Sequence, residues 1–283
     1  MDFELTQKLK RVTAALQGFD RVIVAFSGGV DSTLLLKLAR QTLGRDRVLA
    51  VTANSPSLAA ADLQEVHRLA DELDVRHQVI DTAEVDNPDY RANAANRCYF
   101  CKQELFERLH RLATEHGLPT VLYGAIGDDL RDARPGARAA SEYGVRGPLQ
   151  DAGLSKPEVR EAARLLGLSN WNRPQNACLS SRIPHGVEVT LHKLSQVEQA
   201  EAELAQLGFR QVRVRHLGDH ARVEVGREEV ARFHDPALAG QIAQRFAAFG
   251  FASVGVLRAG YRAGGANQPA DDELLLAAPA SLR

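Results

Sequence analysis

The chain has 283 residues, of which 45% are hydrophobic and 25% charged, and its formal net charge at pH 7 is −1. This composition is ordinary for a globular protein with one large domain, or with one medium domain and a smaller one attached. The balanced charge gives no argument for nucleic acid or a membrane surface as a partner, and no apolar run reaches the roughly 18 residues of a membrane span.

The first half of the sequence alternates strand and helix patterns. Short apolar runs predict strands, and helical spacing of apolar residues predicts the helices between them. The expected strands cover residues 21–26, 48–52, 76–80 and 120–123, and the expected helices cover 3–17, 32–43, 58–73 and 99–116. Repeated βα units of this kind predict an α/β fold with a doubly wound parallel sheet, which binds ligands beyond the carboxyl ends of its strands.

The pattern changes in the second half. Residues 155–158 form a capping box that begins a helix to Leu166, and residues 169–186 have no clear period. A smaller α+β domain with the order αββαβ follows, with helices expected at 191–207 and 236–249 and strands at 211–216, 221–225 and 253–257. We therefore expect domains at 1–186 and 187–265 and a flexible tail at 266–283.

Residues 27–32 read Ser-Gly-Gly-Val-Asp-Ser and lie between an expected strand and an expected helix. The glycines let the backbone approach a ligand, and the amides of a helix N-terminus favour an anion. A Walker-A lysine and the glycine spacing of a dinucleotide fingerprint are both absent. In this context the hexapeptide resembles the PP-loop of ATP pyrophosphatases, which split ATP between the α and β phosphates. The alternative is an ordinary glycine-rich turn before a capped helix.

Three cysteines form the second signal. Cys98 and Cys101 stand at the start of an expected helix, between Arg97 and Lys102, and Cys178 lies in the irregular segment. The helix dipole and the flanking cations favour thiolate. The N-terminus lacks the features of a signal peptide, so we expect a cytoplasmic location and reduced thiols. Three cysteines hold three irons of a 4Fe–4S cluster and leave the fourth iron open to a ligand such as sulfide.

Other interpretations of the cysteines stay open. The pair at 98 and 101 is also compatible with a redox dithiol or with simple packing. A zinc site is another possibility, although tetrahedral zinc needs four ligands, which His110, His116 or Cys178 would have to complete. Cys178 taken alone is compatible with a small buried hydrophobic residue.

Four segments together resemble one family. Residues 27–32, 98–101, 128–136 and 177–182 are similar to those of the LarE family, ATP-dependent sulfur transferases that help to build the nickel-pincer nucleotide cofactor. The resemblance covers about residues 1–265. It implies that ATP adenylates a carboxylate of pyridinium-3,5-biscarboxylic acid mononucleotide, and that sulfur then attacks to give a thiocarboxylate. It also implies ATP, Mg²⁺ and a 4Fe–4S cluster as cofactors, and a homo-oligomer such as a hexamer.

The family has two ways of supplying sulfur. In some members one cysteine, at the position of Cys178, gives up its own sulfur and becomes dehydroalanine. Other members carry a Cys-x-x-Cys pair as well and use a cluster with an extra sulfide. The three cysteines fit the second type, in which Cys98, Cys101 and Cys178 are all cluster ligands.

Site residues follow from the motifs and from the resemblance. The ATP phosphates are assigned to Ser27, Gly28, Gly29 and Ser32, with Asp31 holding magnesium and Asp128 and Asp129 sharing that role. The alternative for Asp128 and Asp129 is turn capping. Arg134 is expected to contact the substrate phosphate.

A pair of arginines marks the smaller domain. Arg213 and Arg215 alternate along an expected strand and so share one face, which suits bidentate phosphate binding. The resemblance places them near the reactive cysteine, with Arg182, and makes Glu224 a metal ligand. The alternative is a solvated strand face with salt bridges to Glu224 or Glu228.

Three other functions compete with sulfur insertion into a small nucleotide. A cluster-dependent tRNA thiolase would be expected to show a basic surface domain, against which the net charge of −1 argues. A PP-loop ligase that uses ammonia would not need three cysteines. A non-catalytic nucleotide sensor would bind ATP without releasing pyrophosphate.

Overall fold

The computed structural model of the chain describes residues 2–130, 135–174, 177–262, 265–267 and 272–276. Contacts divide the chain into two compact units, the first made of residues 1–90 and 96–176 and the second of 91–95 and 177–283. No helix in the described ranges combines the length and the apolar character needed to cross a bilayer.

The first unit is built on a four-stranded parallel sheet. Its strands are β1 (Val22–Ala25), β2 (Val48–Asn54), β3 (Arg76–Asp81) and β4 (Thr120–Tyr123), in the order β3-β2-β1-β4. Its helices are α1 (Phe3–Gln17), α2 (Val30–Leu43), α3 (Ala60–Glu72), α4 (Pro88–Arg91), α5 (Arg97–His116), α6 (Pro135–Glu142), α7 (Pro148–Asp151) and α8 (Lys156–Leu165). The prediction of a parallel α/β sheet is confirmed.

Both faces of this sheet are covered because successive residues of β1 point to opposite sides. Val22 and Val24 pack into one core with apolar residues of α1, α2 and α8. Ile23 packs into a second core with Phe106 and Leu109 of α5. This two-sided burial explains why the strands read as continuous apolar runs. It also leaves the carboxyl ends of the strands as the open edge where polar residues gather.

The second unit holds a mixed sheet. Its strands are β5 (Val212–Leu217), β6 (His220–Val225), β7 (Ser253–Leu257) and β8 (Glu273–Leu276), in sequential order, with only the β6–β7 pair parallel. Helices α9 (Leu191–Gln206) and α10 (Pro236–Ala248) belong to the same unit. Phe209, Phe233 and Phe246 are among the residues of its apolar core.

Two expectations differ from the structure. Residues 177–186 group with the second unit, so the unit boundary falls earlier than the expected one at 186. The side-chain amide of Asn93, fully buried, donates to the carbonyls of Pro184 and Val187 and ties this segment to residues 91–95. Residues 273–276, expected to lie in a flexible tail, form β8 and pair with β7, where Leu276 joins the core.

Candidate active site

The PP-loop joins the end of β1 to the start of α2. Helix α2 begins at Val30, two residues before the expected start, so Asp31 and Ser32 belong to its first turn. The hydroxyl of Ser32 donates to the carbonyl oxygen of Gly29 at 3.0 Å and lies 3.2 Å from the hydroxyl of Ser27. The loop thus presents two hydroxyls and the first amides of a helix, which together suit a polyphosphate.

Two glycines allow the PP-loop to pack closely against α3 and against the end of β4. Gly28 has φ +70°, and a Cβ added there would lie 2.8 Å from Cγ2 of Val66. At the end of β4, a Cβ added to Gly124 would lie 2.7 Å from the backbone nitrogen of Ser32. The start of α2 therefore packs directly against the backbone of the neighbouring strand. Gly28 was selected from the sequence, whereas Gly124 was not, because its partner is distant along the chain.

Asn170, which follows α8 in the chain, makes hydrogen bonds that hold the PP-loop. It is 3% exposed, and its amide nitrogen donates to the carbonyl oxygen of Gly28 at 3.0 Å and to the hydroxyl of Thr33 at 2.9 Å. The next residues are held by Arg160, which donates to the carbonyl oxygens of Trp171 and Arg173. Residues 169–174, the first part of the segment that showed no period in the sequence, thus hold the PP-loop through Asn170.

A cavity of about 420 Å³ opens at this edge of the parallel sheet. That volume lies in the range of small-molecule sites. Its lining comes from the PP-loop, the ends of β2 and β4, and the starts of α5 and α6. The residues that bear on the chemistry are Ser27, Gly29, Asp31, Ser32, Cys98, Lys102 and Asp129.

Asp31 is one of the charged residues that line the cavity, together with Lys102 and Asp129. Burial raises the pKa of its carboxyl, and the ammonium group of Lys156 opposes that rise. Nζ of Lys156 donates to Oδ1 of Asp31 at 2.8 Å and to Oδ2 at 2.7 Å. Asp129 and Arg160 are the other charged groups whose field reaches Asp31. Lys156 lies inside the capping box that the sequence showed only as a helix start, and its part in the site was missed.

The two aspartates after β4 have different positions. Oδ2 of Asp128 accepts a hydrogen bond from the backbone nitrogen of Lys156 at 2.8 Å and so caps α8. Oδ2 of Asp129 accepts from the backbone nitrogen of Ile126 at 3.0 Å, and Asp129 also lines the cavity. Both aspartates therefore make the capping contacts of the alternative interpretation, and of the two only Asp129 is among the described residues that line the cavity. Arg134 lies outside the described residues.

The cysteine pair begins α5 as the sequence predicted. Cys98 is exposed and lines the cavity, and Cys101, one turn later, is partly buried. Neither forms a disulfide. The cavity that contains the PP-loop therefore also contains a sulfur atom. Within the described ranges, no group of three or more His, Cys, Asp or Glu side chains is arranged to hold a metal ion.

Cys178 lies in the second unit, exposed, just before a short 3-10 helix at Leu179–Arg182. Arg182 anchors its segment and is 1% exposed. The Arg182 guanidinium donates to the carbonyl oxygen of Cys178 at 3.0 Å and pairs with both carboxylate oxygens of Glu201 at 2.9 and 3.0 Å. Arg182 therefore positions the backbone that carries the thiol.

The predicted arginine pair lies on one face of β5, and both members are buried. Arg213 is 9% exposed, stacks over the Tyr261 ring and has its pKa lowered by burial and by Arg182. Arg215 is 3% exposed and pairs with Glu224 at 2.8 Å. Of the alternatives, the salt bridge to Glu224 is present, but the solvated face is not.

Glu224 is the centre of this buried charge cluster. It is 0% exposed and lies between Arg215 and Arg222, at 2.8 and 3.2 Å. With Arg182, Arg213 and Glu201, the cluster has four guanidiniums against two carboxylates. Among the described residues, Nε of Arg215 is buried without a hydrogen-bond partner. An excess of buried positive charge with an unused donor suits an anion. A metal at Glu224 stays a prediction.

Comparison with known proteins places this site in a family. The sequence matches the protein family described as NAD synthase over residues 4–109. A protein of Synechocystis sp. that bears the name Uncharacterized protein slr1717 is 44% identical over 264 residues, which cover 93% of this chain and 98% of that protein. Pyridinium-3,5-bisthiocarboxylic acid mononucleotide synthase of Lactiplantibacillus plantarum is 38% identical over 263 residues, which cover 93% of this chain and 95% of that enzyme.

A more distant relative, Uncharacterized protein MJ0830 of Methanocaldococcus jannaschii, is 27% identical over 72% of this chain and 77% of that protein. The similarity to the synthase extends over nearly the whole of both chains, so it includes the PP-loop unit and the unit that carries Cys178. The prediction of an ATP-dependent enzyme with a PP-loop is confirmed at the level of the family. The chain belongs to the LarE family, the PP-loop sulfur transferases to which that synthase belongs.

Proposed function

We propose that the protein inserts sulfur into pyridinium-3,5-biscarboxylic acid mononucleotide at the expense of ATP. The observation that carries the proposal is a single cavity lined by Ser27, Asp31 and Ser32 of the PP-loop and by the thiol-bearing Cys98. Phosphate-binding groups and sulfur are the two things that this reaction has to bring together. Family membership supports the substrate, because the related synthase is named for the bisthiocarboxylic product.

The first step forms an acyl adenylate. A carboxylate oxygen of the substrate attacks the α-phosphorus of ATP, and pyrophosphate leaves. The amides at the start of α2 and the hydroxyls of Ser27 and Ser32 bind phosphate oxygens as their charge grows. Asn170 and Gly124 hold the loop in place for this task.

Mg²⁺ fits the groups present in the cavity. Carboxylate oxygens of Asp31 and Asp129 line it, and Mg²⁺ in nucleotide sites uses one or two carboxylates together with substrate phosphates. When bound, the ion would neutralise negative charge on the phosphates. Of the two aspartates after β4, we propose Asp129 as the ligand, because the contact of Asp128 serves the start of α8.

The second step transfers sulfur. Sulfide attacks the acyl carbon, AMP leaves, and a thiocarboxylate forms. A cysteine thiolate would instead form a thioester, whose Cβ–S bond must then break to release the thiocarboxylate and leave dehydroalanine. We propose that the sulfur is carried as sulfide on a 4Fe–4S cluster held by Cys98, Cys101 and Cys178. The exposure of Cys98 and Cys178, and the absence of a disulfide among the three cysteines, support this set of donors. In the part of the chain that the structure describes, these three cysteines are not gathered into a metal-binding group. Sacrificial transfer from Cys178 is the alternative.

The buried arginines of the second unit are proposed to bind the substrate phosphate. Arg213 and Arg215 lie next to the segment that Arg182 anchors, since Arg215 also donates to the carbonyl oxygen of Ser181 at 3.3 Å. Their excess positive charge would be offset by the phosphate of a mononucleotide. A phosphate bound there would lie near the backbone that presents Cys178.

Pyrophosphate release tests the adenylation step. The wild-type protein should release pyrophosphate from Mg²⁺·ATP only when the biscarboxylate nucleotide is present. Asp31→Asn should lower that release by at least about 100-fold, while Asp20→Asn, at an exposed position, should leave it unchanged. Release driven by bulk tRNA, or release without any acceptor, would reject the proposed substrate.

Metal analysis and mass spectrometry test the source of sulfur. Protein purified without oxygen should contain about four irons per chain and matching sulfide, and Cys178 should be intact after turnover. One zinc with no iron would reject the cluster. Conversion of Cys178 to dehydroalanine would show that it is the sacrificial donor. The expected homo-oligomer remains a prediction, which light scattering of the same sample would test.

A further inference from the structure

The carboxylate of Asp31 already has a cation in contact with it. Nζ of Lys156 lies 2.8 and 2.7 Å from its two oxygens, so one ammonium group occupies both. The two side chains are 28% and 26% exposed, which means that water reaches the pair but does not surround it. Asp31 lines the cavity. Lys156 contacts the same carboxylate but is not among the described residues that line the cavity.

Lys156 is held at this place by its own backbone. It is the first residue of α8, and its nitrogen donates to Asp128 at 2.8 Å. Ser155 and Glu158 complete the capping box around it, and Glu158 is paired with Lys8 at 2.6 Å. The backbone of Lys156 is therefore fixed at the start of α8, and this fixes the point from which its side chain extends to Asp31.

Holding α8 against α2 does not require this ion pair. Leu34 and Leu35 of α2 and Val159 and Ala162 of α8 are each 0% exposed within one apolar core. Burial of those side chains stabilises the helix pair far more than a partly exposed salt bridge does. The packing of α8 on α2 therefore does not depend on the contact between Lys156 and Asp31, so that contact can change when a ligand binds.

We propose that Lys156 is the counter-ion of Asp31 before the nucleotide arrives, and that Mg²⁺ must displace it to bind there. The inference rests on the proposed binding of Mg²⁺·ATP at Asp31. The ammonium group uses a lone pair on each oxygen of Asp31 and repels a divalent cation at the same carboxylate, so the two cations compete for it. The free protein therefore binds Mg²⁺ weakly, and the phosphates of ATP supply the additional negative charge that makes the exchange favourable. Lys156 thereby couples arrival of the metal to arrival of the nucleotide.

Binding of Mn²⁺ to the nucleotide-free protein, followed by electron paramagnetic resonance, tests the proposal without turnover. Lys156→Met should bind Mn²⁺ about two- to fivefold more tightly than the wild type, the range expected from loss of a partly exposed ion pair. Lys156→Arg, which keeps the charge, should stay close to the wild type. Lys10→Met removes a charge at an exposed position of α1 and should change nothing. Asp31→Asn in the Lys156→Met protein should abolish the gain.

Equal or weaker Mn²⁺ binding by folded Lys156→Met would overturn the proposal, and so would a gain that survives Asp31→Asn. Lys156→Gln serves as a second neutral variant if the methionine variant does not fold. With ATP present, the Mg²⁺ concentration for half-maximal pyrophosphate release should also fall in the neutral variants, which a purely structural role of Lys156 would not cause. If the acceptor substrate proves to be different, the proposed function fails while the Mn²⁺ result stands.

Discussion

Replacement of Gly124 by alanine adds a single methyl group at the point where β4 meets the PP-loop helix. The new Cβ would lie 2.7 Å from the nitrogen of Ser32, 2.9 Å from its Cα and 3.0 Å from the carbonyl carbon of Asp31. All three are backbone atoms, so a side-chain rotation cannot relieve the contact. The start of α2 has to move away from the strand.

The expected cost is about 1–3 kcal/mol of unfolding free energy, the usual range for an added methyl in a well-packed site. The functional effect should be larger than the loss of stability suggests. The amides that move are those proposed to bind the phosphates, and a displacement near 1 Å should lower kcat/KM for ATP by roughly 10- to 100-fold. Gly240→Ala is the matched control, because nothing lies within 4 Å of its added Cβ and its position is within α10. That variant should be up to about 1 kcal/mol more stable.

Urea denaturation gives the stability of both variants, and pyrophosphate release at varied ATP concentration gives kcat and KM. We expect Gly124→Ala to lower both the free energy of unfolding and the affinity for ATP, and Gly240→Ala to lower neither. Wild-type kinetics in Gly124→Ala would refute the close packing of β4 on the PP-loop. So would an equal loss in both variants, because the effect would then belong to any added methyl.

Three further predictions concern other contacts. Asn170→Ala should raise KM for ATP by about tenfold through loss of the hydrogen bonds to the PP-loop, whereas Asn172→Ala, at an exposed neighbouring position, should not. His77, whose pKa burial lowers to about 4, binds fewer protons when folded than when unfolded between pH 6.5 and 4, so acid destabilises the protein there. Urea titrations should show that His77→Gln removes about 2 kcal/mol of the stability lost between pH 7 and 5, and that exposed His116→Gln does not. Finally, ATP should slow alkylation of Cys98, which lines the cavity, and equal rates with and without ATP would contradict that position.

Much of the first unit could be predicted because its signals are local. Strands β1, β2 and β4 are short apolar runs, and α5 shows a helical period, so their places follow from burial in a parallel α/β fold, while β3 is a partly buried edge strand. Strand β8 was missed because four residues carry too little pattern and its pairing partner β7 is distant in sequence. Pairing of this kind is decided by the tertiary structure and not by local propensity.

In the site as well, features with local sequence signals were predicted, and features that depend on distant contacts were not. The PP-loop and the cysteine pair were visible because their function depends on residues adjacent in sequence. Lys156 was hidden inside a capping box, and Asn170 lay in a segment without a period. Both act through contacts more than 100 residues away along the chain, with Asp31 and with Gly28. The spacing of the arginines on β5 gave the correct shared face but not its burial, which depends on Glu224 of the neighbouring strand.

We propose that this protein splits ATP in order to put sulfur on a biscarboxylated nucleotide. Mass spectrometry of the product, formed from pyridinium-3,5-biscarboxylic acid mononucleotide with Mg²⁺·ATP and labelled sulfide under anaerobic conditions, tests it most directly. The account predicts that carboxylate oxygen is replaced by labelled sulfur, with release of AMP and pyrophosphate and with no product from Asp31→Asn. Pyrophosphate release with an unchanged nucleotide mass, or a product that carries nitrogen in place of sulfur, would contradict it.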